Sequence, residues 1–149
     1  MTLEILRLDG PTFDAAIPDL AMLLADAVAG GASVGFTLPF SPDDAATWWQ
    51  SIERDVVRGN VLVIVARLER RVVGSARRRG IATALMREIE RVALAERRTL
   101  LVLDTIAGSE AEQLYLKLGW TRAAEIPDYA ALPAGELRPT TIFYRRLTT

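Results

Sequence analysis

The stretch Ser75-Ala76-Arg77-Arg78-Arg79-Gly80-Ile81-Ala82 decides how the rest of the chain is interpreted, because an arginine cluster meets a glycine where a helix begins. Apolar residues then recur at helical spacing, at Ile81, Leu85, Ile89, Val92 and Ala93. A helix start offers unpaired backbone N–H groups and a positive dipole end, and glycine lets an anion approach the backbone closely. We therefore predict a site for a pyrophosphate or similar group. The alternative is a solvated basic turn before an ordinary helix.

The bulk composition limits the classes of protein and of chemistry. The 149 residues are 50% apolar and 25% charged, which predicts a single globular domain over residues 1–149. The net charge of −1 gives no general attraction to nucleic acid. The chain has no cysteine and no histidine, which excludes disulfides, Cys-His and Ser-His catalysis and the usual zinc sites. Without a signal peptide or a long apolar run, we expect a cytoplasmic protein with no membrane partner and no metal.

Strands and helices are predicted to alternate along the chain. Before Gly80 we expect a strand over residues 3–8, a helix over 17–29 with Pro18 in its first turn, a loop over 32–40, a helix from Ser41 to Gly59, and strands over 61–66 and 72–74. After Gly80 we expect a helix to about Arg97, a buried strand over 99–105, a helix opened by a Ser109–Glu112 capping box, and strands over 120–126 and 140–147 separated by a loop. This order predicts a mixed α/β class built around one sheet.

Two motifs resemble those of the GNAT N-acetyltransferases. Arg77-x-x-Gly80-x-Ala82 is similar to the family's Arg/Gln-x-x-Gly-x-Gly/Ala signature, and the segment 111–120 (AEQLYLKLGW) is similar to its Ala-x-x-x-Tyr-x-x-x-Gly-Phe/Trp segment. The two occur in the family's order and at its spacing. The resemblance implies the acyl-CoA N-acyltransferase fold, one twisted mixed sheet flanked by about four helices. It also implies acetyl-CoA as co-substrate and transfer of its acetyl group to an amine.

The resemblance assigns residues to the acetyl-CoA site. The backbone N–H groups from Arg78 to Ala82 would take the pyrophosphate, with arginine side chains assisting by charged hydrogen bonds. Thr105 and Ser109 lie where the family's fifth strand and fourth helix meet the coenzyme, and Gly108 replaces an asparagine that many members have. The residues assigned to coenzyme binding are Arg77, Arg78, Arg79, Gly80, Ile81, Ala82, Thr105 and Ser109.

Tyr115 is the candidate catalytic acid. Direct transfer from a thioester to an amine needs no covalent enzyme intermediate, so a chain without cysteine or histidine can perform it. A phenol, with a reference pKa of about 10, can protonate a departing thiolate, and the resemblance gives the tyrosine at this position that role. The alternative is a core tyrosine on an apolar helix face. No general base is identified; Asp104 is the nearest carboxylate, but we favour a capping role for it at a strand end.

The residues that bind the acceptor amine are less clearly indicated by the sequence. In the family, the region between the first two helices lines it, which makes Phe36, Phe40 and Trp49 weak candidates. Their alternative role is to anchor helix to sheet. The segments 31–36 and 128–144 look like the tabtoxin-resistance type of acetyltransferase, whose acceptors are small amino compounds. We therefore expect a small-molecule amine as the partner.

The sequence departs from the family between Gly74 and Ser75. Val72-Val73-Gly74 joins the pyrophosphate loop directly, where the family has a complete third and fourth strand. One strand too few would leave the loop at the wrong end of the sheet, since successive antiparallel strands reverse direction. If residues are missing from the sequence at this junction, we expect a gap in the sheet between residues 72–74 and the strand over 99–105. If the deletion is real, we expect a rearranged sheet in which the strand at Val72, or a partner chain, lies beside the strand over 99–105. A true deletion exposes a sheet edge, and the alternative function is then an impaired relative that self-associates, as a homodimer, or has no activity.

Overall fold

A computed structural model describes residues 3–68, 71–72 and 80–148, with only the backbone of residues 68, 71 and 72. The arginines Arg77, Arg78 and Arg79 and the Gly74–Ser75 junction lie outside the described residues. What was predicted for them therefore stays a prediction.

The described elements alternate as expected and confirm the α/β class. In chain order they are β1 (Leu3–Leu8), α1 (Gly10–Ala29), α2 (Pro42–Ser51), α3 (Glu53–Val57), β2 (Val63–Leu68), β3 (Arg71–Val72), α4 (Ile81–Ala95), β4 (Leu100–Ile106), α5 (Glu110–Lys117), β5 (Thr121–Ala131) and β6 (Leu137–Arg146).

The strands form two three-stranded sheets in place of the single mixed sheet that we expected. One has the order β1-β2-β3 and the other β4-β6-β5, and every ladder between the described strands is antiparallel. No ladder in the described part of the chain joins β3 to β4. The described strands therefore form two separate sheets, and the break lies between β3 and β4.

The N-terminal half is held together by α1, which packs on β1, β2 and α3. Phe13 is completely buried, and Leu8, Leu20 and Val65 belong to the same apolar cluster. The ring of Trp49, from α2, meets Phe13 edge-on with ring centroids 6.0 Å apart. This packing fixes the position of the loop over residues 32–40, which connects α1 and α2.

Helix α1 begins earlier than predicted. Asp9 caps it: its carboxylate accepts from the Thr12 N–H at 3.1 Å, while the Thr12 hydroxyl oxygen accepts from the Asp9 N–H at 2.8 Å. Pro11 is therefore the proline of the first turn, and Pro18 lies inside the helix. Pro18 is exposed. A reciprocal cap outweighed the expected disruption by one interior proline.

Three other boundaries differ from the prediction. The helix expected from Ser41 to Gly59 breaks at Ile52 into α2 and α3. The strand expected over 61–66 is shifted to 63–68. The loop expected after residue 126 belongs largely to β5, which continues through Pro127 because a bulge between Ile126 and Ala130, with Asp128 at φ 51°, absorbs the missing N–H.

Strand β4 is not the buried strand that its apolar run predicts. Leu100 is 52% exposed and Val102 64% exposed, and both lie on the same face. Among the described strands, β4 pairs with β6 alone and is an edge strand. An apolar run predicts burial on both faces only where neighbours cover both.

Candidate active site

The N-terminus of α4 lacks the side-chain cap that the other long helices have. Asp9, Ser41 and Ser109 cap α1, α2 and α5, whereas α4 begins at Gly80 without a capping side chain among the described residues. Gly80 is exposed and has φ 71°, and a methyl group built on it would meet no described residue within 4 Å. In the described part of the chain, nothing therefore blocks an anion from the first N–H groups of α4.

Thr105 and Ser109, both assigned to the coenzyme, meet across the turn between β4 and α5. Their hydroxyl oxygens lie 3.3 Å apart, within hydrogen-bonding distance. Ser109 also accepts from the Glu112 N–H at 3.3 Å and caps α5. Gly108, at φ 76°, gives the turn its shape. The structure thus places the two hydroxyls together at the start of the helix that carries Tyr115.

Glu112 holds this turn against the sheet. Its side chain is buried, and its carboxylate accepts from the Gly108 N–H and, at 3.0 Å, from the hydroxyl of the completely buried Thr141. Arg122 Nε lies 3.7 Å from the same carboxylate. The predicted capping box is therefore half correct: Ser109 caps the helix, but Glu112 reaches the N–H of Gly108 instead of that of Ser109.

Tyr115 lies half-buried on α5 between two aromatic residues. Its ring centroid is 6.0 Å from that of Trp120 and 5.9 Å from that of Phe143. Burial raises the pKa of the Tyr115 phenol above 10.0, and the negative charge of Asp104 raises it further. Tyr115 therefore keeps its proton at neutral pH, which is the state that an acid requires.

A cleft of about 510 Å³ opens beside Asp104. It is lined by residues 33–37 of the α1–α2 loop, by Asp104 of β4 and by residues 129–131 of β5. Two hydrogen bonds tie the loop to the end of β5: Ser33 Oγ donates to the Ala131 carbonyl at 3.0 Å, and the Leu38 N–H donates to the Pro133 carbonyl at 2.9 Å. Both sides of the cleft are therefore fixed relative to each other.

Asp104 and Tyr115 lie on different sides of β4. Phe143, which contacts Tyr115, is directly opposite Leu103, whereas Asp104 is opposite Ile142. Because side chains alternate along a strand, Asp104 projects from the other face.

The three weak acceptor candidates occupy different environments. Phe36 lines the cleft, and Phe40 stacks on it with ring centroids 4.6 Å apart. Trp49 packs in the core against Phe13 and not in the lining of the cleft.

Sequence reasoning did not find Tyr129, which it left in a loop, and it gave Asp104 only a capping role. Glu112 was noted solely as part of a cap. Its buried neighbours are distant in sequence, so no local signal predicted its role.

Comparison with known proteins identifies the fold. No family model matches the sequence. Among solved structures, an N-acetyltransferase from Staphylococcus aureus Mu50 aligns over 99% of this chain and 100% of its own, with TM-score 0.80 and 16% identity. The yncA protein of Salmonella typhimurium, solved with its cofactor acetyl-CoA, aligns over 99% and 95%, with TM-score 0.76 and 16% identity. The chain has the fold of the GNAT N-acetyltransferases.

A third solved structure with this fold is that of an enzyme that modifies a protein. It is a Salmonella typhimurium acetyl transferase that modifies the N-terminal serine of the ribosomal protein L7/L12, and it aligns over 99% of this chain and 96% of its own, with TM-score 0.77 and 13% identity. The fold therefore occurs in enzymes whose acceptor is a protein. Among the described residues, no helix has the length and apolar character needed to span a membrane.

Proposed function

We propose that this chain is an N-acetyltransferase that uses acetyl-CoA and acetylates the amine of a small molecule. The observation that carries the proposal is the position of Tyr115, a protonated phenol near the edge of β4 from whose other face Asp104 lines a cleft. The charge of Asp104 contributes to the raised pKa of Tyr115, so the two groups are close enough to interact.

The residues present suit the anionic end of acetyl-CoA. Among the described residues no side chain caps the start of α4, and Gly80 itself has no side chain that would block the backbone. The hydroxyls of Thr105 and Ser109 are a second polar pair, placed at the start of α5. Arg77, Arg78 and Arg79, which precede Gly80 in the sequence, would add charge-assisted hydrogen bonds to phosphate oxygens.

The proposed reaction is direct acyl transfer. The neutral amine attacks the carbonyl carbon of the thioester, a C–N bond forms and the C–S bond breaks. The phenol of Tyr115 gives its proton to the departing sulfur, and the proton lost by the amine leaves through water and restores the phenol. In this scheme Tyr115 acts as the general acid.

A small-molecule acceptor is favoured by the size of the cleft. About 510 Å³ falls in the range of small-ligand sites, roughly 300–1,000 Å³. Because one structural neighbour modifies a protein, a peptide with a free N-terminal serine belongs in the same assay. We expect small primary amines to be acetylated faster than that peptide.

The test compares two tyrosine variants. Tyr115→Phe removes the proposed acid, and Tyr144→Phe removes a hydroxyl from another half-buried tyrosine that does not line the cleft. We expect Tyr115→Phe to lower kcat by roughly 10²–10⁴-fold with little change in acetyl-CoA affinity, and Tyr144→Phe to change neither. Release of the coenzyme A thiol can be followed with a thiol reagent without background, because the chain has no cysteine.

Two results would contradict the proposal. If calorimetry showed no acetyl-CoA binding and no change in melting temperature, the chain would not use this co-substrate. If Tyr115→Phe turned over at the wild-type rate across the whole pH range, Tyr115 would be a packing residue only.

Self-association is a second candidate function, favoured by the exposure of β4. Leu100 and Val102 form an apolar patch on one face of a strand that is an edge among the described strands. Under this proposal two copies associate through β4, and Val102→Lys converts the dimer to a monomer in sedimentation. If sedimentation showed that the unaltered protein is a monomer at all concentrations, self-association would be excluded.

A further inference from the structure

Asp104 is the one charged residue among the described residues that line the cleft. The other described lining residues are hydroxyl, aromatic, aliphatic and glycine residues. Asp104 is exposed, so a bound molecule can reach its carboxylate. The described lining therefore contains a negative group and no cation that would balance it.

Two aromatic side chains accompany Asp104. The Phe36 ring is held in place by two neighbouring rings. It stacks on Phe40 with ring centroids 4.6 Å apart and meets Trp48 edge-on with ring centroids 5.4 Å apart. Tyr129 is 63% exposed and follows Asp128, whose φ of 51° belongs to the bulge in β5. Such a bulge redirects the side chains next to it. The two rings thus belong to opposite sides of the cleft.

A carboxylate with aromatic faces on either side is the chemistry that binds an alkylammonium group. The carboxylate attracts the charge, and the ring faces attract the cation and its adjoining methylene groups. An alkyl substituent would gain nothing from Asp104, and an anionic one would be repelled by it.

We propose that Asp104, Phe36 and Tyr129 select an acceptor that carries a second positive charge, so that the substrate class is diamines and similarly cationic amino compounds. One ammonium group is held by Asp104 between the rings while the other amine, in its neutral form, is acetylated. The inference rests on the proposed function.

The experiment compares two acceptors that differ only at the far end. In 1,5-diaminopentane that end is an ammonium group, and in n-hexylamine it is a methyl group of similar size. We expect the unaltered protein to show roughly tenfold higher kcat/KM for the diamine, counted per amine, because a carboxylate and two rings act on one cation. Asp104→Asn should bring that ratio near one.

Asp14→Asn is the matched control, since it removes an exposed carboxylate on α1 outside the cleft and gives the same net charge. It should keep the preference for the diamine. The proposal would be overturned if Asp104→Asn lowered kcat/KM for both acceptors equally, or if the unaltered protein had the same kcat/KM for both. The acetyltransferase activity would stand in either case.

Direct binding separates the failure of this inference from failure of the proposed function. Calorimetric titration with 1,5-diaminopentane should give a Kd that Asp104→Asn weakens roughly tenfold and Asp14→Asn does not. If neither amine were acetylated, the proposed function would fall, and this titration would still decide the cation site. Equal binding to all three proteins would refute it.

Discussion

Replacing Glu112 by alanine is the most direct test of how the site is held together. Its carboxylate joins three elements: the Gly108 N–H in the β4–α5 turn, the Thr141 hydroxyl on β6 at 3.0 Å, and Arg122 on β5 at 3.7 Å. Thr141 is completely buried. Glu112→Ala therefore leaves its hydroxyl without a partner and without access to water.

The expected loss of stability follows from these contacts. An unpaired buried donor costs about 1–3 kcal/mol, and the one methylene that is lost contributes about 0.8 kcal/mol. Gly108 and Arg122 are more exposed, so water can replace the Glu112 carboxylate as the partner of the Gly108 N–H and the Arg122 guanidinium. We expect Glu112→Ala to lower the free energy of unfolding by about 3 kcal/mol, which for a chain of this size lowers Tm by about 6–12 °C. The loss of the contact with Arg122 adds little to this cost, because Arg122 also pairs with Glu125.

Denaturant unfolding of Glu112→Ala, Thr141→Val and the double variant measures the interaction itself. Thr141→Val removes the hydroxyl that Glu112→Ala leaves without a partner. The double variant should therefore be at least 1 kcal/mol more stable than the sum of the single effects predicts. Acetyl-CoA affinity should fall with stability, since the turn carries Thr105 and Ser109. A loss below about 0.5 kcal/mol for Glu112→Ala, or additive effects, would refute this reasoning.

Two further predictions concern Gly80 and Tyr115. Gly80→Asp and Gly80→Asn place side chains of equal size at φ 71°, which both residues tolerate better than most, so their unfolding free energies should agree within about 1 kcal/mol. The carboxylate should nevertheless weaken acetyl-CoA binding in calorimetry at least tenfold more than the amide does, as about 1.4 kcal/mol of repulsion would give; equal affinities would contradict the anion site. The raised pKa of Tyr115 means that the folded protein retains this proton at a pH where the unfolded chain has lost it, so stability falls as pH rises above about 10. A tyrosinate absorbance titration, with Tyr115→Phe subtracted, should place the pKa of Tyr115 above 10.0. Asp104→Asn should lower that pKa, because it removes a negative charge, and an unchanged titration would show that the two groups do not interact.

Local chemistry was readable from the sequence. Gly30 at the end of α1, Ser41 and Ser109 as caps and Gly80 at the start of α4 all appear where predicted, because each depends on backbone groups within one helical turn. Pro18 misled the prediction because the Asp9–Thr12 cap, equally local, was not recognised.

Features that depend on distant neighbours could not be read in this way. The exposure of Val102 depends on which elements lie beside β4, and the burial of Glu112 depends on Thr141, which is 29 residues away. The cleft brings together Phe36, Asp104 and Tyr129 from three separate segments. The described strands separate into two sheets between β3 and β4. The predicted departure at the Gly74–Ser75 junction lies outside the described residues and stays a prediction.

The central claim is that this chain transfers acetyl groups from acetyl-CoA to a cationic amine, and one mass-spectrometric measurement tests it most directly. Incubation of the purified protein with acetyl-CoA and 1,5-diaminopentane should yield the mono-acetylated diamine and an equal amount of free coenzyme A. The rate should exceed that of a parallel incubation with Tyr115→Phe by roughly 10²–10⁴-fold. Absence of the acetylated product, or its formation at the same rate with the Tyr115→Phe protein, would contradict the account.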